Sequence, residues 1–156
     1  METQSTSNEL FQVAEITVSY LPKLKASQRP KMSTSQEVYQ CFYNSWDIDR
    51  IEMIEQFKIM LLNRANRVLG IFEVSTGGVA GTVADPKIIF GTALKGNASS
   101  IILAHNHPSG SLKPSQADLL LTNKLAQAGS FLDIPVLDHL ILTSESFLSF
   151  SDQGLL

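Results

Sequence analysis

Residues 100–118 read Ser-Ile-Ile-Leu-Ala-His-Asn-His-Pro-Ser-Gly-Ser-Leu-Lys-Pro-Ser-Gln-Ala-Asp: an apolar run ending in two histidines, then a loop, then a helix start. The run from Ser100 to Ala104 reads as a buried strand whose C-terminal end opens into the loop. In sheets flanked by helices, sites favour that end. His105 and His107 are separated by one residue, so on an extended segment both imidazoles face the same side, roughly 6.5 Å apart at the usual strand rise. One cation fits between them. Pro108, Gly110 and Pro114 supply turn formers for a chain reversal, which returns Asp118 to the same cation. Two neutral nitrogens and one carboxylate oxygen leave a tetrahedral ion with one open position for water, the arrangement of a catalytic rather than a structural zinc. The spacing therefore predicts one zinc per chain on His105, His107 and Asp118.

Ser115 and Asp118 have a second reading. Ser-x-x-Asp ahead of an apolar run is a capping-box pattern, in which Ser115 closes a helix N-terminus and Asp118 complements its dipole. The two readings are compatible, because the first turn of a helix is a rigid place from which to aim a carboxylate. The same donor set also matches an iron-binding facial triad, which metal analysis separates from zinc. Other chemistries fit worse. Ser109 and Ser115 lie outside any Gly-x-Ser-x-Gly turn, a deaminase-type zinc site needs a Cys-x-x-Cys pair, and Cys41 is the only cysteine. Cys41 shares a helical pattern with Val38 and Phe42 and reads as a structural thiol. His139 has no evident partner in the motif and reads as a structural histidine.

The 156 residues, 44% hydrophobic and 17% charged, suit one globular domain with a full core. A net charge of −3 argues against nucleic-acid binding by bulk electrostatics, which needs clustered Lys and Arg. Lys23, Lys25, Arg29 and Lys31 form the one basic cluster, in a Pro- and Ser-containing stretch that reads as a solvated connection. The N-terminus has neither a basic start nor an apolar stretch, and no later segment reaches a membrane span. A cytoplasmic protein is expected, acting on a protein or peptide substrate without direct nucleic-acid or membrane binding.

Val13 to Tyr20 alternates as a strand would. Thr34 and Glu37 form a capping box opening a helix through Trp46. Phe57, Ile59 and Leu61 on one face, with Met60 and Leu62 on the other, predict a strand over 56–62; residues 63–66 turn, and 68–74 return as its hairpin partner. The glycines at 77, 78 and 81 lack the ending of a phosphate-binding loop. Asp85-Pro86 starts a helix that Gly96 stops. A further helix runs from Ser115 to Ala128, with Ala117, Leu120, Leu121, Leu125 and Ala128 on one stripe and Gly129 ending it; Asp118, Leu121 and Leu125 also share a side. Residues 136–143 and 147–150 supply closing strands. The fold class is α/β of the α+β type, a mixed β-sheet flanked by helices, with an N-terminal segment over 1–34 carrying one strand and a linker, and a domain over 35–156.

An upstream Glu, then His-x-His, seven residues and Ser-x-x-Asp resembles the JAMM (MPN-type) metalloprotease signature, here Glu55, His105, His107, Ser115 and Asp118. The chain is more similar to the RadC-like branch, in phrases such as Ile-Leu-Ala-His-Asn-His-Pro-Ser-Gly (102–110) and Leu-Asp-His-Leu-Ile (137–141). The resemblance covers residues 35–156. It implies a JAB/MPN-like, cytidine-deaminase-like architecture, zinc on the three ligands, and hydrolysis of peptide or isopeptide bonds. From the residues alone, Glu52, Glu55 and Glu73 all stay open as the base; the resemblance points to Glu55, just ahead of the first hairpin strand. The ion would lower the pKa of its water to about 7, Glu55 would take and return the proton, and Ser115 would donate to the oxyanion. The alternatives are a non-catalytic MPN binding module and a RadC-like accessory factor in DNA processing. Against the latter, no Gly-rich helix-hairpin-helix segment of the kind carried by the N-terminal part of RadC-like proteins is present.

Overall fold

A computed structural model describes residues 13–77 and 83–156. Three helices are each opened by the local chemistry the sequence advertises. Thr34 accepts from Glu37 N at 3.2 Å while the Glu37 carboxylate takes the Thr34 N–H, so the capping box opens α1 (Ser35–Ser45). Asp85 accepts from Lys87 N at 2.8 Å ahead of Pro86 in α2 (Pro86–Lys95). Ser115 and Asp118 close the reciprocal box of α3 (Gln116–Phe131). Gly96 follows α2 as expected, but its φ is −77°; the left-handed residue is Asn97, at φ 54°. A Cβ at 96 would lie 2.8 Å from Leu61 Cδ1, so a larger residue there would have to displace the end of that side chain.

The strands are β1 (Gln56–Leu62), β2 (Val68–Thr76), β3 (Ser100–Asn106), β4 (Val136–Leu142) and β5 (Phe147–Ser149), in the sheet order β2-β1-β3-β4-β5. The pair β3–β4 is parallel and the others are antiparallel. That mixed sheet was the expected class. The central strands β1 and β3 are buried along their whole length, as strands covered on both faces must be. Alternation splits their side chains between two cores. Met60, Leu62, Ile102 and Leu140 pack with Phe42 and Trp46 of the α1 layer. Phe57, Ile59, Leu61 and Leu103 pack on the other face with Ile89 and Phe90 of α2 and Leu125 of α3. The β1 face assignment read from sequence is the observed one.

Four expectations need correction. Residues 13–20 form no strand; Val13 and Ile16 are almost fully exposed, because an alternating pattern supplies an apolar face but no partner ladder. The connection after them is not wholly loose: it makes a 3-10 turn (Ala26–Gln28) and bridges Lys31 to Arg67 beside the hairpin. In α3 the inward side carries Asp118, Leu121, Thr122 and Leu125, whereas Ala117 and Leu120 face solvent. Gly129 does not end that helix but lies inside it, buried where a Cβ would collide with the Ile134 carbonyl and meet the Phe90 ring. The helix stops two residues on, at Phe131, and Asp133 beyond it turns at φ 56°. Cys41 is half-buried against the α1-side core, and burial pushes its thiol up. Gly78 and Gly81 lie outside the described residues.

Candidate metal centre

The end of β3 delivers the two histidines and the start of α3 delivers the carboxylate. His105 is fully buried, paired with Phe57 across the β1–β3 ladder, and its ring lies parallel to the Phe57 ring at 5.9 Å. His107 sits one residue past the strand, tied by its backbone N–H to the Leu142 carbonyl at 2.9 Å. Its Nδ1 lies 2.7 Å from the Ser111 carbonyl oxygen. A carbonyl only accepts, so Nδ1 carries the hydrogen and the neutral ring presents a lone pair at Nε2.

His105 Nε2 and His107 Nε2 stand 3.0 Å apart. Asp118 Oδ1 lies 3.3 Å from the first and Oδ2 lies 3.4 Å from the second. The three side chains thus bring one ligand atom each within 4.8 Å of the others and could hold a metal ion. Burial works to raise the Asp118 carboxyl, but the neighbouring His105 and His107 rings, whose protonated forms would donate to it, together with the Ser115 backbone N–H, outweigh burial and hold the group well below the usual carboxylate range. His107 is raised: the hydrogen bond to Asp118 leads, burial opposes it, and the Ser111 carbonyl and the charges of Asp118 and Glu55 add to it. Nitrogen and carboxylate donors converging from rigid elements, where only a proton or a cation can relieve the crowded lone pairs, fit a divalent ion such as zinc.

The other site residues foreseen in the sequence sit around this cluster. Ser115 Oγ accepts from Asp118 N at 3.0 Å and its backbone N–H donates to Asp118 Oδ2 at 2.7 Å. Capping uses only a lone pair of the hydroxyl, so its O–H hydrogen stays available. Glu55 directly precedes β1. The β1–β3 register pairs Phe57 with His105, and the charge of Glu55 just ahead of β1 acts on the His107 ring. Glu52 and Glu73 are engaged elsewhere. Glu52 accepts from the Ser144 hydroxyl at 2.6 Å, and Glu73 accepts from Thr76 Oγ1 and from Gln56 Nε2.

One residue that sequence reasoning passed over, Asn106, and one that it read only as structural, His139, hold this arrangement. Asn106 lies between the histidines and so points to the opposite face of the sheet. Its amide donates to the Ile51 and Ile54 carbonyls at 2.7 and 2.8 Å and accepts from Gln56 N at 2.7 Å, pinning the turn that carries Glu55. His139, read from the sequence as a structural histidine without an evident partner in the motif, is fully buried, and its partners include a motif residue: Nε2 lies 2.8 Å from His105 Nδ1 and Nδ1 lies 2.6 Å from Thr122 Oγ1. Burial pushes His139 well down, the neighbouring His105 adding to the effect, so it is neutral. Asn106 had one sequence signal, a polar residue on the inward-facing alternate position of a buried strand. His139 had none, since it meets His105, 34 residues away, only once β4 lies parallel to β3.

Residues 32–155 match the family model of the RadC-like JAB domain. Among curated proteins the chain is similar to a UPF0758 protein of Flavobacterium johnsoniae, 46% identical over 101 residues, which cover 65% of this chain and 44% of that protein. A UPF0758 protein of Thermosynechococcus vestitus is 48% identical over 98 residues, 63% of this chain and 39% of the other. One from Geotalea uraniireducens is 36% identical over 126 residues, 81% of this chain and 54% of the other. The chain thus spans about half or less of the length of these relatives.

Proposed function

This chain belongs to the RadC-like JAB domain family, and from that premise we propose that it is a zinc-dependent hydrolase of peptide or isopeptide bonds in the cytoplasm. The observation that carries the reading is the convergence of His105 Nε2 and His107 Nε2, 3.0 Å apart, with the Asp118 carboxylate, whose two oxygens lie 3.3 and 3.4 Å from one nitrogen each. These three would hold one ion per chain. When bound, such an ion supplies Lewis acidity to a carbonyl oxygen and makes water a nucleophile at neutral pH.

The remaining work falls to the chain's own groups. Glu55 accepts the proton of the attacking water and returns it to the departing amine. Ser115, held by its cap, donates its free O–H to the oxyanion that develops on the substrate, a contribution on the order of 3 kcal/mol where such donors have been removed. The substrate is a protein or peptide, and the acidic balance of the chain, 15 acidic against 12 basic residues, disfavours direct binding to nucleic acid. No helix among the described residues is long and apolar enough to cross a membrane.

Elemental analysis of protein purified without added metal is expected to find one zinc per chain, lost in a His105→Ala/His107→Ala variant. Iron in place of zinc, or full occupancy in that variant, refutes the ligand assignment. The Glu55→Gln variant keeps the metal and loses turnover, so in cell extract it retains substrates that mass spectrometry can identify. Loss of metal in Glu55→Gln would make Glu55 a ligand instead.

A further inference from the structure

We propose that His139 and Thr122 are positioning residues that fix which nitrogen of His105 faces the cation. This rests on the reading of His105 as a ligand. His105 Nε2 faces His107 and Asp118, whereas its Nδ1 faces His139 Nε2 at 2.8 Å. A neutral imidazole that gives Nε2 to a cation carries its hydrogen on Nδ1. That hydrogen needs an acceptor inside the core, and His139 Nε2 is the atom in reach. His139 can accept there only with its own hydrogen on Nδ1. Nδ1 lies 2.6 Å from Thr122 Oγ1, which must then accept.

Thr122 is free to accept because its hydroxyl hydrogen has another destination: Oγ1 lies 2.6 Å from the carbonyl oxygen of Asp118, one turn back in α3. The chain of donors runs His105 to His139 to Thr122 to the Asp118 carbonyl, and every link has a defined direction. It begins on one ligand and ends on the backbone of another. The reversed order would put a hydrogen on His105 Nε2, aimed at Asp118, and leave that nitrogen no lone pair. A histidine is an uncommon partner for this task, usually performed by a carboxylate or a backbone carbonyl. A carboxylate here would bring a second charge into a pocket walled by Phe57 at 5.6 Å and Phe150 at 4.7 Å from the His139 ring; a neutral imidazole brings none.

The test is substrate-free. Zinc affinity is measured by chelator competition for the full chain and for His139→Phe, His139→Gln and Thr122→Val. Phenylalanine keeps the ring volume but offers no acceptor, and the expected loss of zinc affinity is about 10–100-fold, the scale on which partners of ligating histidines act. Glutamine restores an acceptor oxygen and recovers most of that loss; Thr122→Val removes the far acceptor and loses a smaller factor. A purely packing role would spare the phenylalanine variant and gain nothing from glutamine. The chain has three histidines, so ¹⁵N NMR of the zinc-loaded protein assigns every ring hydrogen directly, whether or not the variants fold. Hydrogen on Nδ1 of both His105 and His139 is expected. Hydrogen on His139 Nε2, or wild-type zinc affinity in His139→Phe, overturns the proposal alone. Failure of the unmodified chain to bind zinc overturns the ligand assignment and this proposal with it.

Discussion

Replacing Asn106 with alanine removes a side chain that is completely buried and makes three hydrogen bonds of 2.7–2.8 Å. What remains is one N–H, at Gln56, and two carbonyls, at Ile51 and Ile54. A buried polar group stripped of its partner costs roughly 1–3 kcal/mol. The Ile54 bond is only partly buried, and water entering the small polar void recovers part of the loss, so the expected destabilisation is about 3–5 kcal/mol. That is a large share of the roughly 5–15 kcal/mol that holds a domain of this kind. Urea unfolding followed by circular dichroism measures it, with the denaturant slope checked for constancy. Under conditions where the variant stays folded it should still bind zinc, because Asn106 faces away from the cluster, while turnover falls as the Glu55 turn loosens. A loss below about 1 kcal/mol would refute the claim that these three bonds pin the Glu55 turn.

Gly129→Ala should be destabilising by about 1–3 kcal/mol, the usual cost of overpacking, despite a helix-propensity gain of about 1 kcal/mol; a rise in thermal midpoint would refute the close contact with Ile134. Asp138 is raised by burial, although Ser149 Oγ, Ser151 N and His139 N donate to it. Its folded pKa therefore lies above the unfolded one, and stability from its protonated form is present at acid pH and lost as pH rises through the folded value. Asp138→Asn, which mimics that form, should fall within about 1 kcal/mol of the parent at pH 7 and flatten this pH dependence, whereas Asp138→Ala should cost about 2–4 kcal/mol; an asparagine as damaging as alanine would contradict the assignment. For DNA, fluorescence anisotropy at about 150 mM salt should show binding on the order of 10⁻⁴ M or weaker; submicromolar, structure-selective binding would favour the DNA-processing alternative.

Where the determinant is local chemistry, the sequence is readable. Thr34 with Glu37, Asp85 with Pro86, and Ser115 with Asp118 each satisfy backbone groups within a few residues, and each opens the helix it announces. The alternation of Phe57, Ile59 and Leu61 against Met60 and Leu62 likewise assigns β1 to two cores. Legibility fails where the deciding neighbour is distant in the chain. Residues 13–20 carry a strand pattern without a ladder to join. The inward face of α3 includes Thr122, whose partner His139 lies on a distant strand, while Ala117 and Leu120 of the expected stripe are exposed. Gly129 looks like a helix stop until α3 meets Phe90 and the Ile134 carbonyl.

The alternation of His105, Asn106 and His107 along one strand end has a consequence for how the sheet is proofread. A slip of one residue in the β1–β3 pairing would turn Asn106 toward Asp118 and bury both imidazoles against the α1 layer, exchanging every side chain between faces. The misregistered sheet would lose the Glu55 anchor and the ligand cluster in the same step. A ligand that binds only the correct pairing adds RT ln(1 + [L]/Kd) to that pairing alone. An ion held by the cluster would therefore act as a thermodynamic check on strand alignment, and its depletion should broaden the population of misaligned chains during refolding before it alters the secondary-structure content of the folded ones.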